Sequence, residues 1–399
     1  MKRRLTTPSF LGAAVLLAAS ALPAQDAALP LKESELKKLG KPFGAWLEAR
    51  VEGDAAKAEE ARADLIDAVG DVQKRHKDVS ILALPAVWNV VFDRFRPHDT
   101  KARKGKLVDL ELLGGGTCPV RIPDGYDPKK RNHPGLLVIS DRPAEEVVAG
   151  LPAEVLQDYL VALPVVSDLD EAALAGPDGQ RRMLVPIGSL SLRNRLDRNR
   201  LFVLGEGERG ARAVSRLVAF LPHVFAGAIL VGGEADPAAR SSPNVAFVPF
   251  HQAGELAQGA QWVLEAAARD PYPLDFRIQL VDPGQGRYYW VQAMRFDTPP
   301  DLPEGKVAGF RVQVDREKNE IRVDSEYVYA FSFYLNDAIV DLDRKIVVVR
   351  NGVPYEFQAS RSIGTMLDNY EQSLDHGMVF PAILRRLDVP EEVAVPEEG

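Results

Sequence analysis

The feature that most constrains the fold is a strand, a tight turn, a helix and a second strand between residues 201 and 231. Residues 201–204 form an apolar run without turn formers, and residues 205–210 contain three glycines. Residues 211–220 then carry apolar side chains at helical spacing, and residues 227–231 form a second apolar run. This order predicts two parallel strands joined by a right-handed crossover. We therefore expect an α/β protein built on a mostly parallel sheet.

Two kinds of site use a glycine-rich turn between a strand and a helix. Gly205, Gly207 and Gly210 spell the G-x-G-x-x-G pattern that holds a pyrophosphate in dinucleotide-binding proteins. Glu206 and Glu208 stand inside the same turn, where their carboxylates oppose a phosphate at the helix N-terminus. The other use is a nucleophile elbow, in which the turn lifts a reactive side chain above the sheet. The residues favour the elbow and leave the dinucleotide site as an alternative.

The segment around this turn resembles secreted α/β-hydrolases of the esterase and prolyl-oligopeptidase type. The matching stretches are Asp-Arg-Asn-Arg at 197–200, Pro-His-Val-Phe-Ala at 222–226 and the Tyr-Asp-Pro turn at 126–128. The resemblance implies an α/β-hydrolase-like domain over residues 106–270. In this register Gly207 occupies the nucleophile position, and Arg209 replaces a glycine of the elbow motif. Glycine has no side chain that could attack a substrate, so the elbow lacks its nucleophile.

Two further catalytic parts implied by the resemblance are also replaced. The strand before Ser140 should run into a His-Gly pair whose loop donates an oxyanion-hole amide. Asp236 and Glu255 match the position of the triad acid only loosely. The catalytic histidine is expected one strand later, yet beyond His251 the chain holds only His376. Because loss of one triad member already removes most of the rate, the combination predicts a non-catalytic homologue.

Three function hypotheses follow from these residues. The first is a non-catalytic protein that binds a polymer, peptide or protein partner, with no cofactor and no metal. The second is an active esterase or peptidase whose nucleophile lies outside the elbow, with Ser140 and Ser191 as candidates and the Glu208 carboxylate as another. The third is a dinucleotide-binding enzyme that uses the glycine-rich turn.

The N-terminal residues have the pattern of an export signal. Three basic residues at positions 2–4 precede an apolar stretch at 10–22, and Ala24 fits the cleavage point. We expect a signal peptide at 1–24 and a secreted or periplasmic protein. No integral membrane insertion is expected after cleavage, because no other apolar run approaches the length of a membrane span.

Net charge and cysteine content exclude several classes of partner and site. The net charge is −8 without a long basic block, so we do not expect nucleic acid as a partner. Cys118 is the single cysteine, which excludes an internal disulfide and a cysteine-based metal site. We expect Cys118 to be buried. Helical periodicity with alternating charges predicts a helical N-terminal region over residues 31–98.

From residue 271 the pattern changes to short alternating runs separated by turns. These runs predict a β-sandwich-like domain over residues 271–388, followed by an acidic tail at 389–399. Turn signals stand at 282–284 and at Asn351-Gly352, and the second is typical of a two-residue hairpin.

Two clusters in this domain, one aromatic and one acidic, are candidate binding sites. Tyr288, Tyr289 and Trp290 lie in a predicted strand, where alternate rings point to opposite faces, so core packing is favoured over carbohydrate binding. The acidic and amide residues between 336 and 343 do not have the spacing of a calcium loop. We interpret them as strand ends and turns.

Overall fold

The computed structural model describes residues 29–98, 102–129, 131–280, 286–298 and 301–388. The expected signal peptide at 1–24, the turn at 282–284 and the acidic tail at 389–399 lie outside these ranges. Among the helices within the ranges, none combines the length and apolarity that a bilayer span requires.

The N-terminal region is a helical unit whose core also includes a helix from the other end of the chain. Its helices are α1 Glu33–Glu52, α2 Ala55–Gln73 and α3 Pro85–Phe95. Asp54 caps α2 by accepting a hydrogen bond from the amide of Lys57 at 3.1 Å. In the core, the rings of Phe43 and Phe92 stack with centroids 4.5 Å apart, and the ring of Tyr370 lies 4.6 Å from Phe92. The predicted helical region is confirmed, and the contact with Tyr370 ties it to the C-terminal part of the chain.

The central unit is a seven-stranded sheet. Its strands are β1 Leu107–Glu111, β2 Thr117–Arg121, β3 His133–Ile139, β4 Leu160–Ala162, β5 Leu196–Glu206, β6 Gly227–Val231 and β7 Phe250–Ala253. The spatial order is β1-β2-β4-β3-β5-β6-β7, in which β2 pairs antiparallel with β1 and β4, and all other neighbours are parallel. The expected α/β-hydrolase-like, mostly parallel sheet is confirmed.

Helices cover both faces of this sheet, as parallel strands require. They are α4 Ala144–Ala149, α5 Ala153–Asp158, α6 Glu171–Ala175, α7 Pro177–Arg193, α8 Gly207–Phe220, α9 Pro237–Ser241 and α10 Leu256–Gln261. Along β5, Leu201 and Val203 enter the core that contains α7 and α8, whereas Phe202 and Leu204 enter the core on the opposite face. Cys118 is buried as expected, and burial raises the pKa of its thiol to about 12.

The structure corrects the expectations for the segment after β6. The apolar run Asn-Val-Ala-Phe-Val-Pro-Phe at 244–250 predicts a buried strand, but these residues contain a 3-10 helix, Pro243–Phe247, and β7 begins only at Phe250. Asn244 gives a physical reason, because its amide donates to the carbonyls of Ala219 at 2.8 Å and Gln279 at 3.0 Å. These bonds fix a bend that apolar periodicity does not reveal. The sequence also predicts a helix over 254–268, but the observed helix is shorter, since α10 ends at Gln261 and is followed by a single 3-10 turn.

Two helix boundaries differ as well. The sequence predicts a single amphipathic helix near 144–156, but it is split into α4 and α5, because Pro152 cannot continue a helical hydrogen-bond pattern. The sequence also predicts a helix that ends at Arg195, but α7 ends at Arg193, because Leu196 already belongs to β5.

The C-terminal domain is a sandwich of two sheets. Its strands are β8 Asp275–Leu280, β9 Arg287–Tyr288, β10 Val291–Phe296, β11 Ala308–Asp315, β12 Glu320–Glu326, β13 Val328–Leu335, β14 Ile346–Arg350, β15 Val353–Phe357 and β16 Ala382–Asp388, and α11 Ile363–Ser373 precedes β16. The sheets, of order β16-β13-β10-β9 and β15-β14-β12-β11-β8, share one hydrophobic core. Asn351 and Gly352, with φ of 44° and 83°, form the predicted two-residue hairpin between β14 and β15. The expected sandwich is confirmed.

The aromatic cluster of this domain forms a turn, so the predicted strand is wrong there. β9 ends at Tyr288, β10 begins at Val291, and Tyr289 between them has φ of 53°. The side chains of Tyr288, Tyr289 and Trp290 are nevertheless all buried. Core packing is therefore confirmed for the cluster, although the geometry that produces it is different.

Candidate functional site

The turn between β5 and α8 has the geometry of a nucleophile elbow with glycine at its tip. Gly207 has φ of 72° and begins α8 directly after the last residue of β5. A Cβ atom placed on Gly207 meets no heavy atom of the described chain within 4 Å. The position is therefore open to solvent, and its left-handed backbone conformation is one that glycine adopts at little cost.

Glycines next to the tip are required by close backbone packing. A Cβ on Gly210 would lie 2.7 Å from the carbonyl oxygen of Ile139 at the end of β3. A Cβ on Gly233 would lie 2.6 Å from the carbonyl oxygen of Gly207. No side chain fits at such distances, so these glycines hold the ends of β3, β5 and β6 together. The predicted elbow shape is thus built by Gly205, Gly207 and Gly210, together with Gly233, which the sequence analysis did not single out.

Ser140 lies close to the elbow, where the family resemblance implies an oxyanion-hole loop. Its hydroxyl donates to Glu206 at 2.7 Å and accepts from the amide of Arg142 at 3.1 Å. The guanidinium of Arg142 binds both oxygens of the same carboxylate, at 2.5 and 3.0 Å. Ser140 is therefore one member of a closed hydrogen-bonded group at the mouth of the elbow. Arg142 and Glu206 lie at the ends of different strands, so no local pattern in the sequence pairs them.

Ion pairs also link the elbow to its other neighbours. Arg209, which replaces the elbow glycine, pairs with Asp141 and donates to the carbonyl of Val166 at 2.5 Å. Glu208 pairs with Arg212 at 2.7 Å and accepts a hydrogen bond from the amide of Glu234 at 3.2 Å. The hydrogen bond from Glu234 and then the pair with Arg212 lower the pKa of Glu208.

The contacts of Glu208 concern two alternatives: its carboxylate as a nucleophile, and the glycine-rich turn as a dinucleotide site. Each of its carboxylate oxygens already accepts a hydrogen bond, and these bonds make the carboxylate a weaker nucleophile. A bound pyrophosphate would meet this carboxylate at the helix N-terminus, where the charge of a phosphate is opposed. The dinucleotide site stays a prediction, and the residues of the turn do not favour it.

Within the described chain, the candidate acids have no observed hydrogen bond or ion pair with each other or with a histidine. Asp236 caps α9 by accepting from the amide of Ala239 at 3.0 Å and pairs with Arg216 at 2.8 Å. Partial burial raises its pKa, but these two interactions outweigh burial and the pKa is lowered. Glu255 precedes α10 and is exposed. Asp236 therefore acts as a helix cap, and Glu255 is an exposed residue before a helix.

The six histidines of the chain all lie within the described ranges, and none has an observed hydrogen bond or ring contact with residues 205–210. His251, the nearest candidate in sequence, stacks on Trp262 with ring centroids 5.3 Å apart. His376 is buried, and its Nδ1 lies 3.3 Å from the guanidinium of Arg96. Burial first, and then Arg96, lowers the pKa of His376 to about 3. The structure therefore brings no histidine base into hydrogen-bond contact with the elbow.

Ser191, the other candidate nucleophile, is also placed away from solvent. It is 1% exposed on α7, and its hydroxyl donates to the carbonyl of Ile187 at 2.8 Å. This is the ordinary hydrogen bond of a serine inside a helix. Ser191 has no access to a substrate in this arrangement.

The acidic cluster of the sandwich is occupied by an arginine. Asp337, Asp341 and Asp343 bring their carboxylates within 4.8 Å of one another. The guanidinium of Arg361 binds Asp337 and Asp343, with one contact at 2.6 Å. A cation is thus already supplied by the chain, in agreement with the interpretation of these residues as turns.

A cleft that the sequence analysis did not identify lies beside β7. It has a volume of about 450 Å³ and is bordered by α9 and by the last two strands of the sheet. Phe250 and Leu230 contribute apolar walls, while Arg240 and Glu234 contribute opposite charges. The sequence did not reveal this cleft, because it predicts the strand at 244–250 instead of at Phe250–Ala253.

No protein-family model matches the chain, and no curated protein matches it. Solved structures match over part of the chain. A thermostable esterase is 16% identical over 40% of this chain and 50% of its own, with a TM-score of 0.29. Dipeptidyl peptidase 4 of Porphyromonas gingivalis is 13% identical over 32% of this chain and 20% of its own, with a TM-score of 0.25. A prolyl endopeptidase structure is 16% identical over 32% and 20%, with a TM-score of 0.24.

The chain spans half or less of the length of these three proteins, and at these scores the likeness carries no argument about activity. The fold follows from the chain's own geometry instead. The strand order, the helices on both faces and the sharp turn after β5 together give the chain an α/β-hydrolase-like fold, with glycine at the tip of its elbow.

Proposed function

We propose that this chain is an exported, non-catalytic protein of α/β-hydrolase-like fold that acts by binding a polymer, peptide or protein partner. The observation that carries the proposal is Gly207, which stands at the tip of the elbow with φ of 72° and no histidine in contact with the turn. Acyl transfer on this fold needs a nucleophile at that position and a base within hydrogen-bond reach. Gly207 supplies no nucleophile at that position, and no histidine has an observed hydrogen bond or ring contact with residues 205–210.

The ion pairs around the tip support the same proposal. Arg142 with Glu206, and Arg209 with Asp141, join the strand ends of β3 and β5. A catalytic oxyanion hole needs hydrogen-bond donors aimed at an empty position above the nucleophile. Here the carboxylate of Glu206 stands beside that space, and a negative charge there disfavours a developing oxyanion.

Covalent labelling tests the proposal directly. The full chain is incubated with a fluorophosphonate probe and, separately, with activated p-nitrophenyl esters. We expect no stoichiometric labelling and no ester turnover above that of Ser140→Ala. Labelling of one serine per chain, removed by that substitution, would overturn the proposal.

An active hydrolase that uses Ser140 is the second candidate, favoured by the 2.7 Å hydrogen bond between Ser140 and Glu206. A carboxylate at this distance can accept the proton of a serine hydroxyl. Against this candidate, both oxygens of Glu206 already accept hydrogen bonds from Arg142. The comparison of wild type with Ser140→Ala decides between the two, and Ser191→Ala serves as a matched control at a buried serine.

A further inference from the structure

The strand β7 ends the described part of the sheet, and its outer edge is free of any strand. The amide of Ala228 donates to the carbonyl of Pro249 at 2.9 Å, and the amide of Gly232 donates to that of Ala253 at 3.0 Å. In a parallel pair, alternate residues turn their backbone groups toward the neighbouring strand. The amides and carbonyls of Phe250 and Gln252 therefore point away from β6, toward solvent.

The two edges of the sheet differ in charge. The edge strand β1 carries Asp109 and Glu111 as exposed residues, and charged side chains on an edge discourage pairing with another strand. The sequence of β7 is Phe-His-Gln-Ala, without an ionised carboxylate or ammonium group. Phe247, just before it, is 51% exposed. The β7 edge thus lacks the usual protection and lies next to exposed apolar surface.

Two charges of opposite sign stand at opposite ends of this edge. The guanidinium of Arg240 lies 4.8 Å from the centroid of the Phe250 ring, at the start of β7. Glu234 lies toward the other end, because Gln252 donates through its side chain to the carbonyl of Gly233 at 3.1 Å. Both charges are exposed and border the same cleft. Within the described residues neither takes part in an ion pair.

We propose that β7 pairs antiparallel with β7 of a second copy of this chain, about a two-fold axis normal to the sheet at His251. This pairing sets Phe250 of each copy opposite Gln252 of the other and forms up to four backbone hydrogen bonds. It also sets Arg240 of each copy beside Glu234 of the other. Because the axis is normal to the sheet, the two clefts lie on the same face and adjoin across the seam.

The occupant is a second copy because the edge is complementary to itself. A two-fold interface requires that a surface patch match its own rotated image. Rotation about the two-fold axis places Arg240 of one copy next to Glu234 of the other, so the edge matches its own rotated image. A foreign extended peptide would form the same backbone bonds but would have to supply both charges.

Charge exchange tests the pairing. Sedimentation equilibrium of the full chain at low ionic strength should give a mass twice the 43.8 kDa of one chain. We expect Arg240→Glu and Glu234→Arg each to weaken the dimer by about tenfold in dissociation constant or more. The double variant R240E/E234R restores both contacts with exchanged signs, so its dissociation constant should return toward that of the wild type.

A backbone variant tests the strand pairing separately. Gln252→Pro removes an outward-facing amide and leaves the amides that bond to β6 in place. It should abolish the dimer, whereas far-UV circular dichroism should show the native fold.

Two results would overturn the inference: a wild type that stays monomeric at concentrations of about 100 µM, or a dimer that none of the variants weakens. The inference does not depend on the absence of catalysis. A serine labelled by the covalent probe would contradict the proposed function and leave the dimer unaffected.

Discussion

Replacement of Asp375 by asparagine should destabilise the protein more than any exposed charge substitution. Asp375 is 2% exposed and pairs with Arg269 at 2.6 Å and with Arg198 at 3.5 Å. Arg198 belongs to β5, Arg269 lies at the end of the central domain, and Asp375 follows α11. The carboxylate therefore joins the central domain to the C-terminal part of the chain. Burial alone would raise the pKa of Asp375, but the two arginines outweigh burial and hold the pKa well below its ordinary value.

The expected loss follows from what remains after the substitution. Asparagine has the shape of aspartate and still accepts from the amide of Gly377, but it leaves two buried guanidinium groups without an ionised partner. Breaking a buried ion pair in this way costs about 3–5 kcal/mol. Asp275→Asn is the matched control, because its pair with Arg311 at 2.8 Å has both side chains half exposed. There we expect little change.

Urea unfolding gives the measurement. Tryptophan fluorescence reports on all three regions together, since Trp46 and Trp88 lie in the N-terminal core, Trp262 packs beside the central sheet and Trp290 lies in the sandwich. We expect the midpoint of the transition to fall in Asp375→Asn and to stay near wild type in Asp275→Asn. Equal effects of the two substitutions at pH 7 would refute the reasoning.

A second check is the pH dependence of the difference in free energy of unfolding between wild type and Asp375→Asn. A carboxyl whose pKa is lowered on folding stabilises the native state above its ordinary pKa of about 3.9 and loses this contribution as the pH falls below that value. The difference in free energy of unfolding between wild type and Asp375→Asn should therefore be constant above about pH 5 and shrink below pH 4. A difference that grows on acidification would contradict the assignment.

The remaining predictions concern the elbow and the sandwich. Gly207→Ser should cost only about 1–2 kcal/mol in thermal unfolding, because the site is open and only the left-handed backbone opposes a side chain, and it should not create esterase activity without a histidine. Gly210→Ala should cost about 3 kcal/mol, because its Cβ meets the carbonyl of Ile139 at 2.7 Å. Arg361→Met should lower the free energy of unfolding by about 2 kcal/mol, since the carboxylates of Asp337 and Asp343 lose a guanidinium that is only 10% exposed.

Local patterns in the sequence predicted the elements whose causes are local. The glycine spacing at 205–210 predicted the strand, turn and helix because backbone crowding at Gly210 leaves no other residue type that fits. The Asn351-Gly352 hairpin was predicted from a different local cause, since both residues tolerate the positive φ that a two-residue turn requires. In each case the signal and its physical cause lie within a few residues.

Elements whose causes are distant could not be predicted in this way. The apolar run at 244–250 looks like a strand, but the bonds of Asn244 to Ala219 and Gln279 come from other segments and hold a bend instead. The contact between Arg96 and His376 joins residues 280 positions apart, so no spacing rule could reveal it. Tyr289 adopts a left-handed conformation that its residue type does not favour, which hid the turn in the aromatic cluster.

The same distinction separates the glycines of the elbow into those fixed by packing and the one at its tip. The positions that face other backbone, Gly210 and Gly233, are fixed by packing and stay glycine whatever the protein does. The tip has no such neighbour, so packing does not dictate its side chain, and a left-handed backbone is least strained there when the residue is Gly207. Catalysis is the reason for an L-residue to bear that strain. Glycine relieves that strain at the tip, and the ion pairs of Arg142 with Glu206 and of Arg209 with Asp141 join the loops around it.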